Sequence, residues 1–180
     1  MITYEVDKAD LKYVQKKLKG MEKKAPAVIK KAINRTAKEA RKKLLEGVQQ
    51  SYTVKAGGFN SRMTIENATN AKLYAVIKCR GRTLTLNRFH ATAPKSGAKA
   101  DIVKKGLKQI IGSKRIKAFK HDGLIMQRET ERRYPVKVLR SNSVSKMVEM
   151  VYKGKINAAV EPVIKKTLHE EIEKEIAKLV

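Results

Sequence analysis

The chain has 180 residues, 42% of them hydrophobic, which is enough to bury a sizeable core in one compact domain. Lys and Arg number 42 against 17 Asp and Glu, a net charge of +25, far above the roughly 2–8 charges that keep a small domain soluble. No apolar run approaches the ~20 residues of a membrane-crossing helix, and the opening Met1-Ile2-Thr3-Tyr4-Glu5 lacks a secretion-signal pattern. The lone Cys79 excludes an internal disulfide framework and reads as a small apolar strand residue. With no Trp and three Phe, the core must be aliphatic.

Residues 2–6 alternate and predict a short strand, after which Asp7 or Asp10 can cap a helix. Its apolar stripe is Leu11, Val14, Leu18 and Met21, with Gly20 near its end. A longer helix is predicted from Pro26, a residue suited to the first helical position. Ile29, Ile33, Ala37, Ala40, Leu44 and Val48 hold one face of it across residues 26–50. After a Gly-rich loop at 55–61 the period changes to two. Leu73, Ala75, Ile77 and Cys79 alternate with polar neighbours, and Thr83-Leu84-Thr85-Leu86 resumes the alternation beyond Arg80-Gly81-Arg82, which predicts a hairpin. Residues 90–100, small and polar around Ala93-Pro94-Lys95-Ser96-Gly97, read as a mobile loop.

Asp122-Gly123 suits a type I′ turn, so a second hairpin is expected with arms at 116–121 and 124–128. Tyr134-Pro135-Val136-Lys137-Val138 is a further strand, and Pro135 marks it as an edge or a strand start. Helix returns in the last forty residues. Val144, Met147, Val148 and Val151 form a stripe that should stop at Gly154, and Ile156, Val160, Ile164, Leu168, Ile172 and Ile176 form another, with Pro162 near its first turn. The expected fold is α+β and a single domain spanning 1–180. Helices at 8–50, a β-meander at about 63–139 and helices at about 143–179 make an antiparallel sheet of hairpins packed against the two long helices.

Catalytic chemistry finds little foothold. His90, His121 and His169 lie far apart, with no metal-ligand spacing and no Cys pair to join them. The segment 106–114 fails the phosphate-loop pattern because five residues separate its glycines and Ser113 precedes Lys114. No enzyme, metal or cofactor is expected. Cations concentrate between Arg80 and Arg140, where 17 Lys and Arg face four Asp and Glu, a local net of +13. Guanidinium forks suit phosphate and carboxylate oxygens alike. Aromatics are too sparse there for base stacking, so charge without a reading element implies backbone contact without sequence specificity. A solvated basic face fits the same composition equally well. The only acidic segment is C-terminal: Glu170, Glu171, Glu173 and Glu175.

Two segments go further than composition. Ala32-Ile33-Asn34-Arg35-Thr36-Ala37 in the long helix resembles the Ala-Ile-Asn-Arg segment of the minor tail protein Z family, the tail-completion proteins of lambda-like phages and prophages. Leu124-Ile125-Met126-Gln127-Arg128, followed by Arg133-Tyr134-Pro135-Val136-Lys137-Val138, is similar to that family's Met-Gln-Arg and Arg-Tyr-Pro pair. The resemblance covers roughly residues 24–172; residues 80–115 align poorly, without the unbroken arginine run of the lambda-type member.

This resemblance implies a structural virion protein, made in the host bacterial cytoplasm. It would act at the head-proximal end of the tail, in tail assembly and DNA passage, with the tail terminator and tail tube as neighbours. The acidic C-terminus against an otherwise basic chain suggests a homo-oligomeric ring in the assembled tail. Arg80, Arg82, Arg88, Lys95 and Lys99 are the candidates for nonspecific DNA contact. Arg35, Arg128, Arg133, Glu170, Glu171, Glu173 and Glu175 are the candidates for assembly interfaces. The charge alone also fits a sequence-nonspecific intracellular nucleic-acid-binding protein. Asn34 and Arg35 could equally tie their helix to the sheet, and Arg133-Tyr134-Pro135 could simply set a strand entry.

Overall fold

The computed structural model describes residues 2–5, 8–18, 22–54, 58–110 and 116–179. Asp7, Gly20, Met21 and the start of the 55–61 loop, all used above, lie outside them. In chain order the elements are β1 (Ile2–Glu5), α1 (Lys8–Lys17), α2 (Ala25–Ser51), β2 (Met63–Glu66), β3 (Tyr74–Cys79), β4 (Thr83–Thr85), β5 (His90–Thr92), β6 (Lys99–Asp101) and β7 (Lys108–Gln109). Then follow β8 (Phe119–His121), β9 (Leu124–Arg128), β10 (Val136–Val138), β11 (Arg140–Ser143), α3 (Val144–Val151) and α4 (Asn157–Ile176). The class is α+β, with antiparallel strand pairing in every described sheet. Contacts group the chain into two compact units, one of residues 1–44, 63–79 and 152–180, the other of 45–62 and 80–151.

In the first unit, β3 is the middle strand of the order β1-β3-β2, with Ile2 opposite Ile77 and Met63 opposite Cys79. Its core is aliphatic. Val14 and Leu18 from α1, Val28, Ile29 and Ile33 from α2, Ala75 from β3, and Ile172 and Ile176 from α4 form one buried cluster. The long N-terminal-half helix and the C-terminal helix therefore cover the sheet together, as their stripes require: a helix with an apolar face must bury it against another layer. Cys79 ends β3 half-buried, and burial pushes its thiol pKa up, which suits an unreactive strand residue.

Asn34 occupies the middle of α2 and clamps the loop between β2 and β3. Its side-chain oxygen accepts from the Ala68 N–H at 2.7 Å, and its amide nitrogen donates to the Ala68 carbonyl at 3.2 Å. Ala68 is buried, so these backbone groups have no bulk water to turn to. Asn34→Ala is expected to destabilise the protein by about 1–3 kcal/mol, the cost of stranding buried polar groups. Asn34→Asp should recover the acceptor half only. Chemical denaturation of the two variants checks this, and equal midpoints for Asn34→Ala and wild type would refute it.

In the second unit, the Asp122-Gly123 turn forms as its dipeptide demands. Both residues take positive φ, 47° and 73°, and join β8 to β9 with His121 opposite Leu124. Backbone bonds stitch the remaining strands: Ala98 donates to Ala118 at 2.7 Å, Leu139 to Ile125 at 2.9 Å and Leu86 to Leu139 at 3.1 Å. Buried side chains here include Phe59, Leu84, Leu86, Phe89, Ile125, Val144, Met147 and Val148.

Three expectations are corrected. The hairpin across Arg80-Gly81-Arg82 does not form: β3 already has β1 and β2 on its two edges, and β4 pairs with β11 instead. Alternation identifies a strand and its faces but not its neighbour. Residues 90–100 are not a loop throughout, because β5 and β6 pair with His90 opposite Asp101, and only the turn between them is irregular. Finally, Gly154 does not end a helix. A five-residue π-turn, Tyr152–Ile156, carries α3 into α4, and Pro162 sits inside α4.

Candidate functional site

The cations of the middle segment are placed by the small sheets of the second unit. The Ala98–Ala118 backbone bond brings the 93–97 turn against the strand that leads into β8. Gly97 makes this approach possible. It has φ +117°, and a Cβ there would stand 3.2 Å from the Lys117 Cβ. Between the two segments lies an open groove of about 590 Å³. Lys95, Lys117, Lys120 and Arg128 line it above an apolar floor that includes Pro94 and Phe119, and no acidic side chain is among its lining residues. The Arg128 guanidinium lies 5.8 Å from the centre of the Phe119 ring, a cation–π contact. Four cations with no acid among the lining residues give the groove a positive potential.

The predicted DNA-contact residues divide. Lys95 lines the groove. Lys99 is on β6 and half-buried, Arg80 and Arg82 are exposed before β4, and Arg88 is exposed at the end of a 3-10 turn, none of them among the groove's lining residues. Arg128, read from sequence as an assembly-interface candidate, lines the groove beside Lys95. Its neighbour in the motif, Gln127, is buried and donates to the Ile116 carbonyl at 2.6 Å, which fixes the strand before β8 against β9. Arg133 is exposed, over the Tyr134 ring at 5.8 Å. Lys117 and Lys120 were missed by sequence reading. The Asp122-Gly123 turn was their available signal, since it places the arm carrying them beside Arg128.

The acidic C-terminal residues are engaged inside the first unit. Arg35 Nη1 lies 2.7 Å from a Glu175 oxygen and 3.0 Å from a Glu171 oxygen. Lys31 and Lys178 also reach Glu175, at 3.4 and 2.7 Å, and Lys174 reaches Glu171 at 2.9 Å. Glu173 accepts from the Tyr13 hydroxyl, and Glu170 has a long contact to Lys166 at 3.9 Å. The Glu175 side chain is only 4% exposed, so it holds its charge through these partners.

Lys178 first, then Arg35, lowers the Glu175 pKa, and Lys174 with Arg35 lowers that of Glu171. A carboxylate with a depressed folded-state pKa adds stability above its unfolded value, about 4.3, and that stability is lost as pH falls through the folded value. Glu175→Gln is therefore expected to be less stable than wild type at pH 7, with the gap closing below about pH 4. Urea unfolding of both proteins at pH 7 and pH 3 checks this; a gap of equal size at both would show that the charge is irrelevant.

The protein is a basic α+β protein with a cation-lined groove on one unit and acidic residues of α4 paired with cations in the other. The chain belongs to the family of prophage minor tail protein Z (GPZ), whose model matches residues 11–180. It is thus a structural protein of a phage tail, located in the virion tail, where it contacts other tail proteins. No curated protein and no solved structure matches it. Both motif segments that carried the resemblance have structural duties here: Asn34 and Arg35 bind α2 to the β2–β3 loop and to α4, and Gln127 locks β9. Among the described residues no helix is long and apolar enough to cross a membrane, and no three His, Cys, Asp or Glu side chains are grouped to hold a metal ion.

Proposed function

We propose that this minor tail protein completes the tail at its head-proximal end, as a ring beside the terminator and tube, and that its groove touches the phosphate backbone of DNA in passage. The observation that carries this reading is the groove itself: Lys95, Lys117, Lys120 and Arg128 converge on one open channel with no acid among its lining residues. Phosphate contact needs positive charge and room but no base-reading element, and the groove supplies these two. A working ring would have to draw its subunit contacts from surfaces other than Glu171, Glu173 and Glu175, since those side chains already have partners within the chain.

The test is the triple reversal Lys95→Glu, Lys117→Glu, Lys120→Glu, supplied to a phage lacking its own copy. All three side chains are exposed, so the fold should survive. Tails carrying the variant are expected to assemble yet yield particles deficient in DNA delivery, and the purified variant should lose DNA affinity. Normal delivery together with unchanged DNA binding would refute the reading. A variant excluded from tails, with DNA binding intact, would assign the groove to a protein neighbour.

A further inference from the structure

The strand β10 is the outer member of the order β10-β9-β8, and its free side is chemically specific. Lys137 stands opposite Gln127. Two bonds bracket that pair: Glu129 donates to the Pro135 carbonyl at 3.1 Å, and Leu139 to the Ile125 carbonyl at 2.9 Å. In an antiparallel ladder hydrogen-bonded pairs alternate, so residues 135, 137 and 139 face β9 with their backbone groups. The N–H and C=O of Val136 and Val138 therefore point away from the sheet. None of the described backbone bonds outside the strand ladders involves either residue. Beside this edge, Tyr134 is 66% exposed and Val136 36% exposed. Arg132, Arg133 and Lys137 are exposed along it, against Glu129 and Glu131, in a segment whose wider surroundings carry a net of +13.

We propose that this edge receives an extended acidic segment of a neighbouring tail protein, which adds to the β10-β9-β8 sheet as a further antiparallel or parallel strand. Such an edge has two requirements: an acceptor for each outward N–H and a donor for each outward C=O, alternating along the strand. A peptide backbone meets both. Phosphate oxygens only accept, so DNA satisfies half of them at most. A second copy of the same edge would set Lys137 and Arg133 against like charges, which opposes strand pairing. Lysine at an edge commonly deters unselective pairing. Here the same charge selects in favour of a strand carrying Asp or Glu. Tyr134 and Val136 then offer an apolar contact for the side chains that alternate with the acids. The inference depends on the tail family and not on the DNA reading, and it uses residues outside the groove.

Photo-cross-linking in assembled tails tests it. Tyr134 is replaced by p-benzoylphenylalanine and the tails are irradiated, with mass spectrometry of the joined peptides. The expected product is a link to an Asp- and Glu-rich segment of a different tail protein. Val136→Pro in the same background removes one outward N–H and no bond to β9, and it should reduce the cross-link yield by roughly five- to tenfold. The thermal midpoint and DNA affinity of the purified Val136→Pro protein should stay at wild-type values. If that variant proves unfolded, Lys137→Glu serves in its place and should likewise reduce the link. A link to β10 of another copy, a link to DNA alone, or no protein link would each overturn the proposal. So would a wild-type yield from the folded Val136→Pro or Lys137→Glu protein.

Discussion

Replacing Ile29 or Ile172 with alanine is expected to cost about 2–5 kcal/mol of stability, the range for emptying a buried aliphatic site. Both side chains are essentially inaccessible, and both belong to the cluster that unites α1, α2, β3 and α4. Alanine is the better helix former, so any loss must come from packing rather than from helix propensity. Leu168 gives an internal control. It sits one turn before Ile172 on the same stripe, but it is only partly buried and packs against the cluster's margin. Leu168→Ala should therefore cost clearly less than Ile172→Ala. Denaturant unfolding followed by circular dichroism measures all three. Equal losses at 168 and 172 would mean that α4 presents a different face to the core from the one described.

Charge reversal at Lys95, Lys117 and Lys120 is the second large effect, this time on binding. If each lysine neutralises one phosphate, wild-type affinity for duplex DNA should fall by about 0.9 in log K per contact for each tenfold rise in salt. Removing three contacts should flatten that slope by about 2 to 3 and weaken binding at roughly 0.1 M salt by on the order of 10²–10³-fold. The loss should be the same for unrelated DNA sequences, because phosphate contacts carry no base information. Arg80, Arg82 and Arg88 are the comparison set, being exposed but absent from the groove lining. Their reversal should change the slope less. Fluorescence anisotropy across a salt series separates the two sets. A larger effect from Arg80, Arg82 and Arg88 would move the DNA surface away from the groove.

Local chemistry was legible wherever a residue acts on its own neighbours. The stripe from Ile29 to Val48 marks a helix because side chains at steps of three and four share a face whatever lies opposite. Asp122-Gly123 marks a tight turn because it tolerates positive φ at both central positions, and Pro135 marks a strand start because it has no N–H to give the ladder, and β10 begins directly after it. Surplus charge between residues 80 and 140 was equally plain, and so were the motif segments by which the family could be suspected.

What joins distant segments was decided only by the tertiary structure. Alternation in residues 73–79 and 83–86 announced two strands, but a period of two is silent about partners, and each strand paired elsewhere. Asn34 and Arg35 were visible as polar residues beside an apolar stripe, yet their partners lie 34 and at least 136 positions along the chain. The acidic C-terminus looked like a surface awaiting a basic partner. Folding supplied one from α2 of the same chain, because helix packing brings Arg35 and Lys31 within reach of Glu171 and Glu175. The groove follows the same logic. Sequence determines how many cations a segment carries, while the β8–β9 hairpin and the backbone bond from Ala98 to Ala118 bring these four together. Charge is a property of the residue, but an anion site is a property of the distance between residues, and only the fold sets that distance.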